Sequence, residues 1–170
     1  MKEELSPTQK RSLKRKKEGR CVHCGDENPK NSYRCEKCKN YLSNKIKQYR
    51  KEREDKGLCV YCGELSMEVL NQCETCWFKQ FSWNALKNRS MWKKLKEKLI
   101  AQNYECVYTK EKLIPGVNAG LDHIIPVSKG GEKSIENVQW VLRKINMMKT
   151  DMDHDEFINM CKLVLSCQRI

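Results

Sequence analysis

Eight of the eleven cysteines in this chain of 170 residues fall in four C-x-x-C pairs. Cys21, Cys24, Cys35 and Cys38 form one set, and Cys59, Cys62, Cys73 and Cys76 repeat it at an offset of 38 residues. The glycine before each first cysteine and the glycine after each second one recur at the same offset, which argues duplication of a small unit. A C-x-x-C turn places two thiolates on one side of a tetrahedral ion, and a second turn completes the shell. Zn²⁺ suits four sulfurs because it is borderline soft and has no geometric preference of its own. A segment of this size cannot bury a core, so a metal would supply much of its folding free energy. Two structural zinc ions are therefore expected, with no open position for chemistry. Disulfides would need an oxidising compartment, and an iron–sulfur cluster is the remoter alternative. His23 stands where the second copy has Tyr61, and the ligand set is complete without it. Cys106, Cys161 and Cys167 read as core residues.

A second constellation lies further along. Asp122 and His123 are adjacent, Asn137 follows His123 by 14 residues, Asn146 comes nine later, and Lys149 is one helical turn beyond. Taken singly, each has an ordinary structural reading. The Asp-His pair suits a turn, Asn137 suits a helix cap, and Asn146 and Lys149 suit a solvated helix face. Together, LDHIIPVSKGG, ENVQW and INMMK are specific. They resemble the HNH endonuclease family, of the phage or mobile-element type, over roughly residues 104–165.

The resemblance implies an α+β fold with a small ββα-metal nuclease domain that hydrolyses phosphodiester bonds in DNA. His123 would take a proton from water, since a reference pKa of about 6.5 suits a base near neutral pH. Asp122 and Asn146 would offer hard oxygens to a catalytic Mg²⁺ or Mn²⁺. The Asn137 carbonyl would accept a hydrogen bond from one imidazole nitrogen and leave the other as base. Arg143 and Lys149 would hold the phosphate. Many members carry two further C-x-x-C pairs around this core. Here the first is reduced to Cys106 and Thr109 and the second is absent, so no zinc is expected in this domain. Two other readings stand beside it: a catalytically silent zinc-ribbon protein that binds nucleic acid, and an RNA-directed nuclease. A single site of this kind cuts one strand, so a double-strand break would need a homodimer or two encounters.

The elements that must position these residues are legible in outline. Residues 1–18 form a basic arm, disordered or loosely helical. Residues 19–76 carry the tandem four-cysteine repeats, joined by a basic helix within Lys39–Lys56 whose Tyr41, Leu42, Ile46 and Tyr49 have helical spacing. Residues 77–103 read as a helical connector through Trp77, Phe81, Trp92, Leu95 and Leu99, and residues 104–170 form the nuclease-like domain. There, residues 106–116 read as a strand and turn, and residues 119–131 as a strand, loop and glycine turn. A helix is expected through Val138, Val141, Leu142 and Ile145. A final amphipathic helix carries Phe157, Met160, Cys161, Val164 and Leu165 on its apolar face.

Composition agrees. Lys and Arg number 34 against 22 Asp and Glu, a formal net charge of +12, which points to a polyanion such as DNA. No stretch approaches the roughly 20 apolar residues that span a bilayer, and the N-terminus lacks the apolar region of a secretory signal. No membrane association is expected, and a cytoplasmic setting (the nucleoid, or the host cell of a phage) follows.

Overall fold

A computed structural model describes residues 5–28 and 32–167. The chain divides into two compact units, Met1–Asp55 and Lys56–Ile170. Helix α1 spans Pro7–Lys17, α2 Glu36–Glu54, α3 Glu74–Leu86 and α4 Trp92–Ala101. Strands β1 (Ala119–His123) and β2 (Val138–Leu142) follow, with α5 (Arg143–Lys149) and α6 (His154–Cys167).

In the first unit the basic arm is a capped helix rather than a loose segment. Ser6 Oγ accepts from the Gln9 N–H, and Gln9 Oε1 accepts from the Ser6 N–H, a reciprocal capping box ahead of Pro7. Four cations in its last turn complement the helix dipole. Arg15 Nη1 donates to the carbonyls of Val22 and His23, each at 3.1 Å, which fastens α1 to the first cysteine turn. Helix α2 follows directly on Cys35, its N-cap residue. Its apolar periodicity does not mark a buried face: Tyr41, Ile46 and Tyr49 are exposed, and Cys38 alone is buried.

The second unit differs from the expected boundaries in an informative way. A two-stranded ladder is marginal alone and needs further elements to cover it. Helices α3 and α4, read from sequence as a connector, supply that cover. Trp77 and Phe78 of α3 and Leu95 and Leu99 of α4 pack with Leu121, Val138 and Trp140 in one core. Trp140 stacks on Trp77 at 5.3 Å between centroids and meets Phe78 edge-on at 5.7 Å. Its indole N–H donates to the Leu95 carbonyl at 2.9 Å. The second cysteine set, which leads directly into α3, therefore belongs to the same unit as the ladder.

Residues 138–142 are a strand, not the start of a helix. Four of the five are buried, so no alternation of polar and apolar residues distinguishes strand from helix. The helix begins only at Arg143. The antiparallel register pairs Leu121 with Trp140 and Asp122 with Gln139. Helix α6 forms as expected, but only Phe157 of its apolar residues is buried, against Tyr108, while Met160, Val164 and Leu165 stay exposed.

A strand and turn is expected over residues 106–116, and residues 104–113 instead repeat the cysteine turn a third time. The N–H groups of Cys21, Cys59 and Cys106 donate to the carbonyls of Asp26, Glu64 and Glu111, at 2.8, 2.7 and 2.9 Å. Gly25, Gly63 and Lys110, all at positive φ, close the turns onto the carbonyls of those same cysteines. Isolated bridges flank all three: Arg20 with Glu27, Leu58 with Leu65, and Glu105 with Lys112. No helix among the described residues is long and apolar enough to cross a membrane.

The loop from β1 to β2 makes a sharp local demand. A Cβ on Gly131 would lie 1.9 Å from the Ile125 carbonyl oxygen and 2.8 Å from Asn137 Nδ2, whereas Gly130 has open space around it. Gly131→Ala is expected to lower stability by about 1–3 kcal/mol. Gly130→Ala, strained only by its positive φ, should cost about 1 kcal/mol. Urea unfolding of both variants checks the order, and equal losses would contradict the close approach.

Candidate functional site

The two cysteine tetrads are assembled. Within each set the four Sγ atoms all lie within 4.8 Å of one another. Cys24 and Cys35 are 3.7 Å apart at sulfur, and Cys62 and Cys73 are 3.5 Å apart. Zn–S bonds of about 2.3 Å at tetrahedral angles require S···S edges of about 3.8 Å, so both sets can hold a structural zinc ion. The backbone favours thiolate at the first cysteine of each set. Burial opposes ionisation of Cys21 and Cys59, but N–H groups of their own and the facing turns outweigh it. They hold Cys21 at about 5 and Cys59 at about 6. Burial and neighbouring thiols push Cys76 up. Four thiols this close share their protons until a cation displaces them. Of the leftover cysteines, Cys106 is buried, Cys161 half-buried and Cys167 exposed.

The second constellation also converges. An open cleft of about 230 Å³ is lined by Asp122 and His123 at the end of β1, Asn146 on α5, Pro126 to Ser128 in the loop, and Thr150 and Asp151 beyond α5. Asn146 Nδ2 donates to the Leu121 carbonyl at 3.0 Å. That bond points the amide and leaves Oδ1 as an acceptor with no hydrogen-bond partner among the described residues. His123 Nε2 is buried and also has none. An orphaned buried nitrogen costs about 1–3 kcal/mol, so its persistence calls for a bound group or a chemical role.

Three predicted site residues are placed differently from their expected roles. Lys149 is 0% exposed. Its ammonium donates to Asp122 Oδ1 at 3.0 Å and to the His123 carbonyl at 2.8 Å, so it faces the protein interior rather than a phosphate. Asn137 does not meet the imidazole. Its Oδ1 accepts from the Ile125 N–H at 2.9 Å, and its Nδ2 donates to the carbonyls of Ile125 and Glu132 at 2.9 and 2.8 Å. It pins the loop after His123 because an amide can satisfy a backbone donor and acceptor at once. Arg143 is exposed at the first residue of α5 and is not part of the cleft lining.

Other residues were not legible as site residues. Gln139, opposite Asp122 in the ladder, donates to Asp122 Oδ2 at 3.0 Å and to the Tyr108 hydroxyl at 3.1 Å. Tyr108 stacks on His154 at 5.5 Å between centroids. Burial, then the charge of Asp122, pushes its hydroxyl up to about 12, so it remains a neutral hydrogen-bonding group. Asp122 itself is 3% exposed, held between Lys149 and Gln139. Only the strand register reveals Gln139, and register is not readable from a strand with four of its five residues buried.

Removing one partner of a buried ion pair leaves an uncompensated charge, which costs about 3–5 kcal/mol. Lys149→Met should therefore lose about that much stability, against under about 0.5 kcal/mol for exposed Met148→Ala. Urea unfolding at neutral pH separates the two, and a near-neutral Lys149→Met would contradict the pairing. For the tetrads, elemental analysis of chain purified under reducing conditions should give two zinc ions per chain. Cys24→Ser should lower that to one, and a value near zero in the parent chain would remove the metal assignment.

No protein-family model matches the chain, and no curated protein matches it in sequence. The chemistry of both sites therefore rests on their own residues and geometry.

Proposed function

We propose that the chain is a metal-dependent DNA endonuclease of the HNH type, acting through the cleft between β1 and α5. The observation that carries this reading is the convergence of Asp122, His123 and Asn146 on one cleft, with a buried imidazole nitrogen that no group among the described residues satisfies. The net charge of +12 supplies the attraction a polyanionic substrate needs.

In this reading His123 takes the proton from the attacking water. The carboxylate of Asp122 and the carbonyl of Asn146 are the hard oxygens that would hold Mg²⁺ or Mn²⁺, a cation that commonly takes one or two protein oxygens and fills its remaining positions with water and phosphate. When bound, that ion supplies charge stabilisation for the phosphorane and the departing 3′ oxygen. Lys149 and Gln139 fix the carboxylate from behind, and Asn137 fixes the loop that follows His123. These three are positioning residues.

One observation favours a second reading, a catalytically silent nucleic-acid-binding protein. Both oxygens of Asp122 already accept hydrogen bonds, from Lys149 and from Gln139. Each carboxylate oxygen keeps a second lone pair, so the metal reading survives, but the coordination is tighter than an open carboxylate would give.

Supercoiled plasmid incubated with zinc-loaded protein separates the two. Nicking is expected with added Mg²⁺ or Mn²⁺ and not without, and His123→Ala should slow it by about 10²- to 10⁴-fold while DNA binding persists. Cleavage that His123→Ala leaves intact would sink the assignment of the base. A wild-type chain that shifts DNA across metals and sites without cutting would establish the silent binder.

A further inference from the structure

A slot of about 270 Å³ lies beside the second cysteine set, lined by Tyr61, Cys76, Lys79, Gln80, Trp83, Asn84 and Arg89. It is unrelated to the cleft and to the residues that line it. We propose that this slot receives one unpaired nucleotide of a DNA strand, its base stacked on Trp83 and its phosphates held by Lys79 and Arg89.

The argument begins with α3. Trp77, Phe78 and Leu86 face the core, and Trp140 completes their contacts. Cys76, Lys79, Gln80, Trp83 and Asn84 recur at the i, i+3, i+4, i+7 and i+8 spacing of one helix face. That face would be wholly polar in an ordinary amphipathic helix. Trp83 instead stands on it with 48% of its surface exposed, and Tyr61, from the cysteine turn, is 53% exposed at the same slot. Aromatic rings kept at the surface within a cationic rim are the pattern of single-strand sites, where bases stack and the backbone is neutralised.

The rim is prearranged. The Arg89 guanidinium lies 5.8 Å from the Trp83 ring centroid. It is carried there by the tight turn after α3, which buried Ser82 fastens by donating to the Asn88 carbonyl. Asn88 Oδ1 then caps that turn through the Ser90 N–H at 3.0 Å. No carboxylate is among the described residues that line the slot, so their charge complements phosphate. Gln80 and Asn84 bring amides, which both donate and accept and so can meet the polar edge of a base. A duplex keeps its bases stacked inside, so only an unpaired or flipped base can enter. The choice of DNA rests on the nuclease reading above, while the occupancy of the slot does not.

The test uses the full zinc-loaded chain without added Mg²⁺ or Mn²⁺, so binding is read apart from any cleavage. Fluorescence anisotropy measures a labelled oligothymidylate and a blunt two-stranded duplex against wild type, Trp83→Ala and Trp83→Phe. Trp83→Ala should weaken the single strand by about 5- to 150-fold, the range for loss of one stacked base. Trp83→Phe should recover most of it, and the duplex should change by less than about 2-fold. Zinc content and melting temperature should stay constant, since Trp83 lies outside the core. Equal loss of single strand and duplex would overturn the slot as a base site, as would unchanged single-strand affinity in Trp83→Ala. An oligouridylate bound much more tightly than the DNA strand would overturn the choice of DNA. Failure of plasmid cleavage alone would touch only the nuclease reading.

Discussion

The buried pair of Lys149 and Asp122 is the constraint around which the cleft is organised. It joins the last turn of α5 to β1 with an ammonium wholly removed from water. Desolvating such a pair is expensive, and its attraction offsets that cost only when the geometry and the further hydrogen bonds are good. Here they are. The ammonium also donates to the His123 carbonyl, and the second carboxylate oxygen accepts from Gln139. One lysine therefore fixes both the side chain of Asp122 and the backbone of its neighbour. Asn146, one turn earlier on α5, inherits its position from that lock and adds its own bond to the Leu121 carbonyl. Helix α5 has only seven residues and would not persist alone.

The lock in turn depends on the aromatic core. Two strands of five residues expose more backbone and side chain than they can cover. Trp140 lies on β2, next to Gln139 and opposite Leu121. Its ring is clamped by Trp77 and Phe78 of α3 and by the Leu95 carbonyl of α4. The helix that begins at the last cysteine pair is thus the support on which the cleft strand rests. Any ion in the Cys59 to Cys76 set stabilises the N-terminus of α3, and through Trp77 it stabilises the strand bearing Gln139. The two sites in this unit share one structural foundation, although their chemistry is separate.

Much of this was legible, and the rest failed for identifiable reasons. Cysteine spacing identified both tetrads because chelation fixes ligand spacing almost independently of the surrounding sequence. Asp122, His123 and Asn146 were legible as a group because their order and intervals are specific. Strand β2 was not, because a short apolar run buried on both faces carries no period. Asn137 and Lys149 were found but given the wrong contacts. Sequence shows that a residue matters at a position, whereas its hydrogen-bond partner depends on loop closure and helix orientation. The exposed face of α3 shows the same limit from the other side. Trp83 has the spacing of a polar-face residue, and aromatic composition alone reads it as core.

The third turn explains why a metal is expected in two places and unnecessary in the third. Cys21, Cys59 and Cys106 begin turns with the same hydrogen-bond pattern, and each is followed by valine and then a ring: His23, Tyr61 or Tyr108. The first two turns have little apolar material of their own, so four thiolates around an ion can close them. The third keeps one cysteine and places Thr109 where a second would stand. Cys106 is fully buried, and its sulfur accepts from the Leu142 N–H at 3.4 Å, while Leu113 seals the turn into the core. Burial works against ionisation there, but the Thr109 hydroxyl and nearby N–H groups still hold the thiol below its ordinary value. Packing against β2 thus takes over the role that an ion can fill elsewhere. The ring that follows meets different surroundings: in the second turn Tyr61 borders the slot, and in the third Tyr108 reaches Gln139 and, through it, Asp122. A single turn geometry, held by metal or by core, sets an aromatic or imidazole side chain at a fixed place, and the surroundings decide what that side chain does.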